Sequence, residues 1–196
     1  MNIQVTRSDY FSHPHNNTII NERAIEVVLG LRYIEAVVRS TSPTNLVEIG
    51  AVMPYYIGQE RVFHECVDPI DPKATVVAMA ETYDYKGKNV LTISTVEHIG
   101  HGDYRLDKNT TLAYDVVDRI YTESQSCLIS WPIGYHKHLD NAVQENADKF
   151  EFFFYVKRNS LPLLWEYVVT NDGFSFEYGK PFNHANSVIF LIKHPQ

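Results

Sequence analysis

A chain of 196 residues is long enough for one well-buried core and short for two, so a single domain over residues 1–196 is expected. Hydrophobic residues make up 44% of the chain and charged residues 21%, which is typical of a soluble globular protein. The net charge of -7 comes without a basic patch that could neutralise phosphates, which argues against nucleic acids and anionic membrane surfaces as partners.

The chain carries two cysteines, Cys66 and Cys127, which are too few for a disulfide framework. The first residues lack the apolar stretch of a signal peptide, and no run approaches the roughly 20 apolar residues of a membrane-spanning helix. A cytoplasmic protein is therefore expected.

Residues 1–20 are polar and rich in His and Asn, which predicts an irregular N-terminal arm. Apolar residues then recur at helical spacing over 24–38, with charged residues between them. Asn21 is a candidate N-cap for this helix.

Short apolar runs that end in glycine or polar residues follow the helix and predict buried strands. These runs cover 46–50, 62–67, 89–94 and 127–131, with a briefer stretch at 76–79. A second helix is predicted over 112–121. Strands that alternate with helices predict an α/β, Rossmann-like fold, a mostly parallel twisted sheet with helices on both faces.

The last third of the chain holds three β-rich runs with little helix between them, at 150–156, 164–169 and 187–193. This pattern predicts an antiparallel C-terminal addition at the sheet edge, which could also serve as a homodimer contact.

Ligands of open α/β sheets bind beyond the carboxyl ends of the strands. Gly50 would allow a sharp turn after the first predicted strand, and Asp68 at the end of the second could accept hydrogen bonds from ribose hydroxyls. Glu48 could anchor the turn or bind a ligand amine. A turn-capping role for Glu48 and for Asp68 is the alternative. The binding hypothesis requires that Gly50 and Asp68 open onto one shared hollow.

The glycine pattern after the first strand does not match a dinucleotide fingerprint. Gly50 is followed by Ala51, Val52 and Met53, with no second or third glycine. A pyrophosphate would need more exposed amides at a helix start, so a ligand without phosphates is favoured over NAD.

Three segments together resemble a small subgroup of the class I S-adenosylmethionine-dependent methyltransferases. Residues 48–52 have the form E-[IV]-G-x-V, 67–68 read V-D, and 97–100 have the form E-H-[IV]-G. The segment 132–140, PIGYHKHLD, is similar to the part of that subgroup that follows its fifth strand. The resemblance implies the class I methyltransferase fold and S-adenosylmethionine as cofactor.

The resemblance also implies roles for individual residues. The implied cofactor contacts are Glu48, Gly50, Ala51, Asp68, Pro69, Ser94, Thr95 and Glu97. Thr95 and Glu97 would lie near the sulfonium, with His98 on the substrate side. His98 and His136 are the candidate catalytic bases, since an oxygen or nitrogen nucleophile must lose a proton and histidine titrates near neutral pH.

Three hypotheses about function remain open at this point. The first is methyl transfer to a small polar acceptor, with a sugar or glycan precursor among the candidates. The second is a non-catalytic ligand-binding or scaffold protein, favoured by the reduced glycine motif and by Lys86-Gly87-Lys88, where such enzymes usually carry an aspartate. The third is a metal-dependent hydrolase built from His98, His101, His136 and His138 with Asp103 or Asp140, although no metal is expected.

Overall fold

The computed structural model describes residues 3–4, 21–40, 45–58, 62–103, 109–160 and 163–194. Apart from residues 3–4, the predicted N-terminal arm lies outside these ranges. The helices are α1 (Arg23–Ser40), α2 (Met53–Ile57), α3 (Leu112–Glu123) and α4 (Lys137–Glu145). The strands are β1 (Ile3–Gln4), β2 (Leu46–Ile49), β3 (Glu65–Val67), β4 (Asn89–Ile93), β5 (Ser126–Pro132), β6 (Phe152–Ser160), β7 (Leu163–Val168) and β8 (Ser187–Lys193).

All eight strands form one sheet in the order β1-β7-β6-β8-β5-β4-β2-β3. The pairs β3–β2, β2–β4 and β4–β5 are parallel. Along the chain, β3 adds to one side of β2 and β4 adds to its other side, so the strand order reverses at β2. Strand β8 is antiparallel to both β5 and β6, so β6 runs in the same direction as β5. This strand order gives a Rossmann-like α/β fold with an antiparallel C-terminal addition, and it confirms the predicted fold class.

The sheet is covered on both faces, as predicted. Helices α1 and α2 contribute to one apolar cluster, whose buried members include Ile25, Val37 and Met53. Helices α3 and α4 contribute to the other cluster, with Val117 and Leu139 among its buried members. No helix within the described ranges is long and apolar enough to cross a membrane.

The structure corrects the sequence predictions in three places. Residues 3–4 of the predicted arm form β1, which pairs with β7. The stretch 76–79 is reduced to one parallel bridge between Val76 and Val67. Residues 137–145 form a helix that was not predicted. The predicted antiparallel C-terminal addition is confirmed, and within it β8 lies between β5 and β6 while β7 is farther out.

The inner position of β8 predicts a strong dependence of stability on its side chains. Ile189 is 0% exposed and pairs with Trp131 on one side and Phe154 on the other. We expect Ile189→Ala to lower the free energy of unfolding by about 2–5 kcal/mol through lost burial and the cavity it leaves. Urea denaturation measures this change. Val169→Ala, at a side chain 62% exposed, should change the value by less than about 0.5 kcal/mol, and equal effects would contradict the assignment.

Candidate functional site

A cavity of about 810 Å³ opens beyond the carboxyl ends of β2, β3 and β4. This volume lies within the range of small-molecule sites. Seven of the ten predicted site residues line it: Gly50, Ala51, Asp68, Pro69, Ser94, Thr95 and His98. The turn after β2 and the acid after β3 therefore share one hollow, as the binding hypothesis requires.

The turn after β2 requires a glycine for two reasons. Gly50 has a φ of 81°, in the left-handed region that residues with a Cβ rarely adopt. A Cβ at this position would also lie 2.2 Å from Oγ1 of Thr95, which follows β4. The Gly50 amide donates to the carbonyl of Val67 at 2.8 Å, which draws the ends of β2 and β3 together at the cavity floor.

Glu48 stabilises this turn through hydrogen bonds and does not line the cavity. Its side chain is fully buried, and Oε1 accepts from the amides of Val52 at 2.8 Å and Met53 at 2.7 Å. Oε2 lies 2.9 Å from Nε2 of His64 and 3.4 Å from Sγ of Cys66. Glu48 therefore anchors the turn, because all of these contacts are to protein groups and the side chain does not face the cavity.

Glu48, His64 and Cys66 also offer the ligand types that zinc prefers, with ligand atoms within 4.8 Å of one another. The Glu48 carboxylate already has four partners, two of them main-chain amides, so the cluster is satisfied as a hydrogen-bond network. We assign it to the turn. Within the described ranges, the histidines of the metal hypothesis form no comparable three-ligand group.

Asp68 combines a turn with a position on the cavity wall. Its Oδ1 accepts from the amides of Ile70 and Asp71, each at 2.8 Å, so the turn-capping alternative is part of its role. The same carboxylate lines the cavity, where a second oxygen can meet a ligand. Next to it, the Tyr55 hydroxyl donates to Asp71 at 3.1 Å and the Lys73 ammonium lies 3.9 Å from the Tyr55 ring centre.

The end of β4 is held in an uncommon backbone conformation. Ser94 has a φ of 36°, unusual for a residue with a side chain, and such strain persists only where its surroundings impose it. Its amide donates to the carbonyl of Ser130, and its hydroxyl donates to both oxygens of Glu26 at 2.8 Å. These bonds orient the residues that follow, Thr95 to His98.

Glu26 is a central residue that the sequence pattern did not reveal. Its place among the charged residues of the first helix indicated a solvent-facing side chain, yet it is 0% exposed. Besides Ser94, it accepts from the Ser130 hydroxyl at 2.9 Å and from the Arg23 guanidinium at 3.1 Å. Burial raises the pKa of Glu26, while Arg23 opposes that shift. Arg23 itself lines the cavity and was also missed.

Glu97 lies close to this group and not on the cavity wall. It is 2% exposed, and its Oε2 has no hydrogen-bond partner among the described residues. Burial raises the pKa of Glu97 well above its usual value, and the nearby charge of Glu26 raises it further. Because Glu97 does not line the cavity, its predicted cofactor contact stays a prediction.

The two candidate bases occupy different positions. His98 lines the cavity, and its Nδ1 lies 2.6 Å from Oδ2 of Asp103. His136 does not line the cavity; its Nδ1 accepts from the Leu139 amide at 3.0 Å and caps α4. Burial lowers the pKa of His136, which suits a neutral cap. Of the two, His98 has the position that a base needs.

Comparison with solved structures finds several likenesses in fold. No known protein family and no curated protein matches this sequence. The chain is similar to an S-adenosylmethionine-dependent methyltransferase of Thermotoga maritima, described as a possible histamine N-methyltransferase, with TM-score 0.44 and 11% identity over 87% of this chain and 91% of that one. It is also similar to the methyltransferase domain of a bacterial Hen1 protein, with TM-score 0.43 and 12% identity over 86% and 95%.

Removing the charge of Glu26 should destabilise the folded protein. Glu26→Gln keeps the shape of the side chain but leaves the Arg23 guanidinium without its buried partner. We expect a loss of about 3 kcal/mol in the free energy of unfolding, the scale for breaking a buried ion pair. Chemical denaturation measures it. Glu35→Gln on the same helix, whose ion pair with Arg39 is exposed, should cost less than about 0.5 kcal/mol. Similar losses for both would show that Glu26 has no special role.

The raised pKa of Glu97 predicts a pH dependence of stability. Above the ordinary pKa of 4.5 the unfolded chain loses the Glu97 proton while the folded chain keeps it, so wild-type stability falls as pH rises. Glu97→Gln has no proton to lose, so its stability relative to wild type should rise from pH 4.5 upward until the folded-state pKa is passed. Denaturation across pH measures the difference. The exposed Glu145→Gln serves as control and should follow the wild-type profile; a Glu97→Gln profile parallel to wild type would refute the assignment.

Proposed function

We propose that this protein binds S-adenosylmethionine and transfers its methyl group to a small polar acceptor. The observation that carries the proposal is the single cavity shared by the Gly50 turn and the Asp68 carboxylate. A nucleoside needs close approach to the main chain, an acceptor for its ribose hydroxyls and an apolar slot for its base. The described residues offer all three at one edge of the sheet.

The lining residues suit the parts of the proposed cofactor. Asp68 offers a carboxylate oxygen for the ribose hydroxyls, a charge-assisted hydrogen bond. Apolar side chains that also line the cavity, Val67, Met79 and Leu112, suit the flat face of adenine. Arg23 brings a guanidinium to the wall, which suits the carboxylate of the methionine part.

When bound, S-adenosylmethionine would supply an electrophilic methyl group on its sulfonium. The task of the chain is then to orient the acceptor and to take its proton. His98 lines the cavity and suits the second task, because burial lowers the pKa of His98 and keeps the imidazole neutral. Holding donor and acceptor in line would supply much of the rate.

The acceptor would enter the part of the cavity near His98, Gly100 and Asn109. The polar side chains of His98, Asn109 and Arg23 favour a hydroxylated or amino compound over an apolar one. A sugar or glycan precursor remains our proposed class. A cytoplasmic location and a homodimer stay predictions.

A non-catalytic binding protein is the second candidate. The observation that favours it is the use of two acids near the cavity, Glu48 and Glu26, in internal bonds to protein groups. Both would fix the site without touching a ligand. Such a protein would bind S-adenosylmethionine without turnover across a broad panel of sugar and amine acceptors.

Calorimetry decides the binding step. Purified protein is titrated with S-adenosylmethionine and with S-adenosylhomocysteine, its demethylated product. Binding of either supports the proposal, and turnover with the acceptor panel separates the two candidates. Lack of binding to both at millimolar concentration would end the proposal.

Asp68→Asn tests the ribose contact. Asparagine can still accept the two turn amides through its side-chain oxygen, but it presents an amide donor where ribose hydroxyls need an acceptor. We expect binding of S-adenosylhomocysteine to weaken by about 1–3 kcal/mol, the scale of a hydrogen bond to a charged group. Calorimetry measures the change. Asp172→Asn, in an exposed turn after β7, should bind as wild type does; unchanged binding by Asp68→Asn would place the ribose elsewhere.

A further inference from the structure

One carboxylate oxygen, Oδ2 of Asp103, gathers three side chains beside the cavity. Nδ1 of His98 lies 2.6 Å from it, the Tyr135 hydroxyl donates to it at 3.3 Å, and Nδ1 of His101 lies at 3.3 Å. The rings also contact one another, with the centres of His98 and Tyr135 5.1 Å apart. The loop after β4 is thereby joined to the loop after β5.

The charge of Asp103 determines which ring nitrogen of His98 carries the proton. Partial burial alone would raise the pKa of Asp103, but the hydrogen bond from His98 and the nearby ring of His101 outweigh it and leave the pKa below its usual value. An ionised carboxylate can only accept, so a neutral His98 must present N–H at Nδ1. Its lone pair then lies on Nε2.

A second carboxyl group stands on the other side of the ring. Oε1 of Glu97 lies 3.9 Å from Nε2 of His98. Burial raises the pKa of Glu97, whereas the contacts of His98 and His101 lower that of Asp103, so the two shifts have opposite directions. Environments that shift the pKa values of two carboxyl groups in opposite directions are typical of acid–base sites. Of these two acids, Asp103 is the one at hydrogen-bond distance from the imidazole.

We propose that Asp103 is a positioning residue that holds His98 with its lone pair on Nε2, ready to take a proton from the acceptor. This inference rests on the proposed function, in which His98 is the base. In the step, an electron pair of the acceptor oxygen or nitrogen bonds to the methyl carbon, and the carbon–sulfur pair leaves with sulfur. The acceptor proton passes to Nε2 of His98. The imidazolium so formed is stabilised by the Asp103 carboxylate and later releases the proton to solvent.

A purely structural role for Asp103 makes a different prediction. If Asp103 only ties two loops together, its charge should not matter, and the His98 tautomer should be the same with any side chain that keeps the loop in place. The measured quantity must therefore be the tautomer of His98, in addition to activity.

Nuclear magnetic resonance of ¹⁵N-histidine-labelled full-length protein reports that tautomer, with His98→Gln used to assign the His98 signals. The expected wild-type result is the Nδ1–H form with Nε2 unprotonated. In Asp103→Asn the charge is lost, and we expect a mixture of tautomers together with a lowered pKa of His98. A wild-type His98 in the Nε2–H form would overturn the inference, and so would an unchanged tautomer in Asp103→Asn.

Two matched variants remove the other contacts of the same carboxylate oxygen. His101→Gln and Tyr135→Phe should both keep His98 in the Nδ1–H form, because Asp103 remains charged. A tautomer change in these variants as large as that in Asp103→Asn would assign the effect to the loop and reject the inference. If Asp103→Asn fails to fold, the wild-type tautomer still decides.

Calorimetry and turnover separate this inference from the proposed function. Asp103→Asn should bind S-adenosylhomocysteine as wild type does, while its kcat falls about 100-fold, within the range for general acid–base catalysis. If the wild-type protein binds neither S-adenosylmethionine nor its product, the proposed function fails, yet the tautomer experiment still tests the His98–Asp103 pair. If binding holds and the tautomer does not respond, only the inference falls.

Discussion

The carboxylate of Glu26 joins three parts of the fold whose relative position the cavity requires. It links Arg23 on α1 with Ser94 at the end of β4 and Ser130 in β5, all at hydrogen-bond distance. A buried carboxylate is tolerated only while its partners stay in place, so these bonds depend on one another. The strained Ser94 in turn directs the chain from Thr95 onward. Glu26, which a ligand need not touch, thereby positions part of the cavity wall.

The parts of the site that sequence could predict are those with a local signal. Gly50 and Asp68 each end a short apolar run, and parallel strands bring such ends to one edge of the sheet. Glu26 has no such signal, because a charged residue within an amphipathic helix usually faces water. Its serine partners are 68 and 104 positions away along the chain, a separation that no spacing rule covers.

Helix α4 and the neighbours of β8 in the sheet escaped prediction for different physical reasons. Helix α4 is short, and only Leu139 and Val143 mark its buried face after a segment rich in Pro, Gly and His. The N-cap of this helix is His136. Histidine rarely caps a helix, so the sequence favours a catalytic role for this ring over a capping one. For β8 the strand itself was predicted correctly, but periodicity cannot give its neighbours in the sheet, since β5 and β6 both precede it in the chain.

The place of β8 has a consequence for how the molecule is assembled on the ribosome. Synthesis proceeds from the N-terminus, so β5 and β6 emerge long before the strand that lies between them. Until residues 187–193 are available, the parallel half of the sheet and the antiparallel half lack the hydrogen bonds that unite them. Closure of the sheet is thus a late, long-range event, and the nascent chain presents two open strand edges during the interval, which a chaperone would be suited to shield.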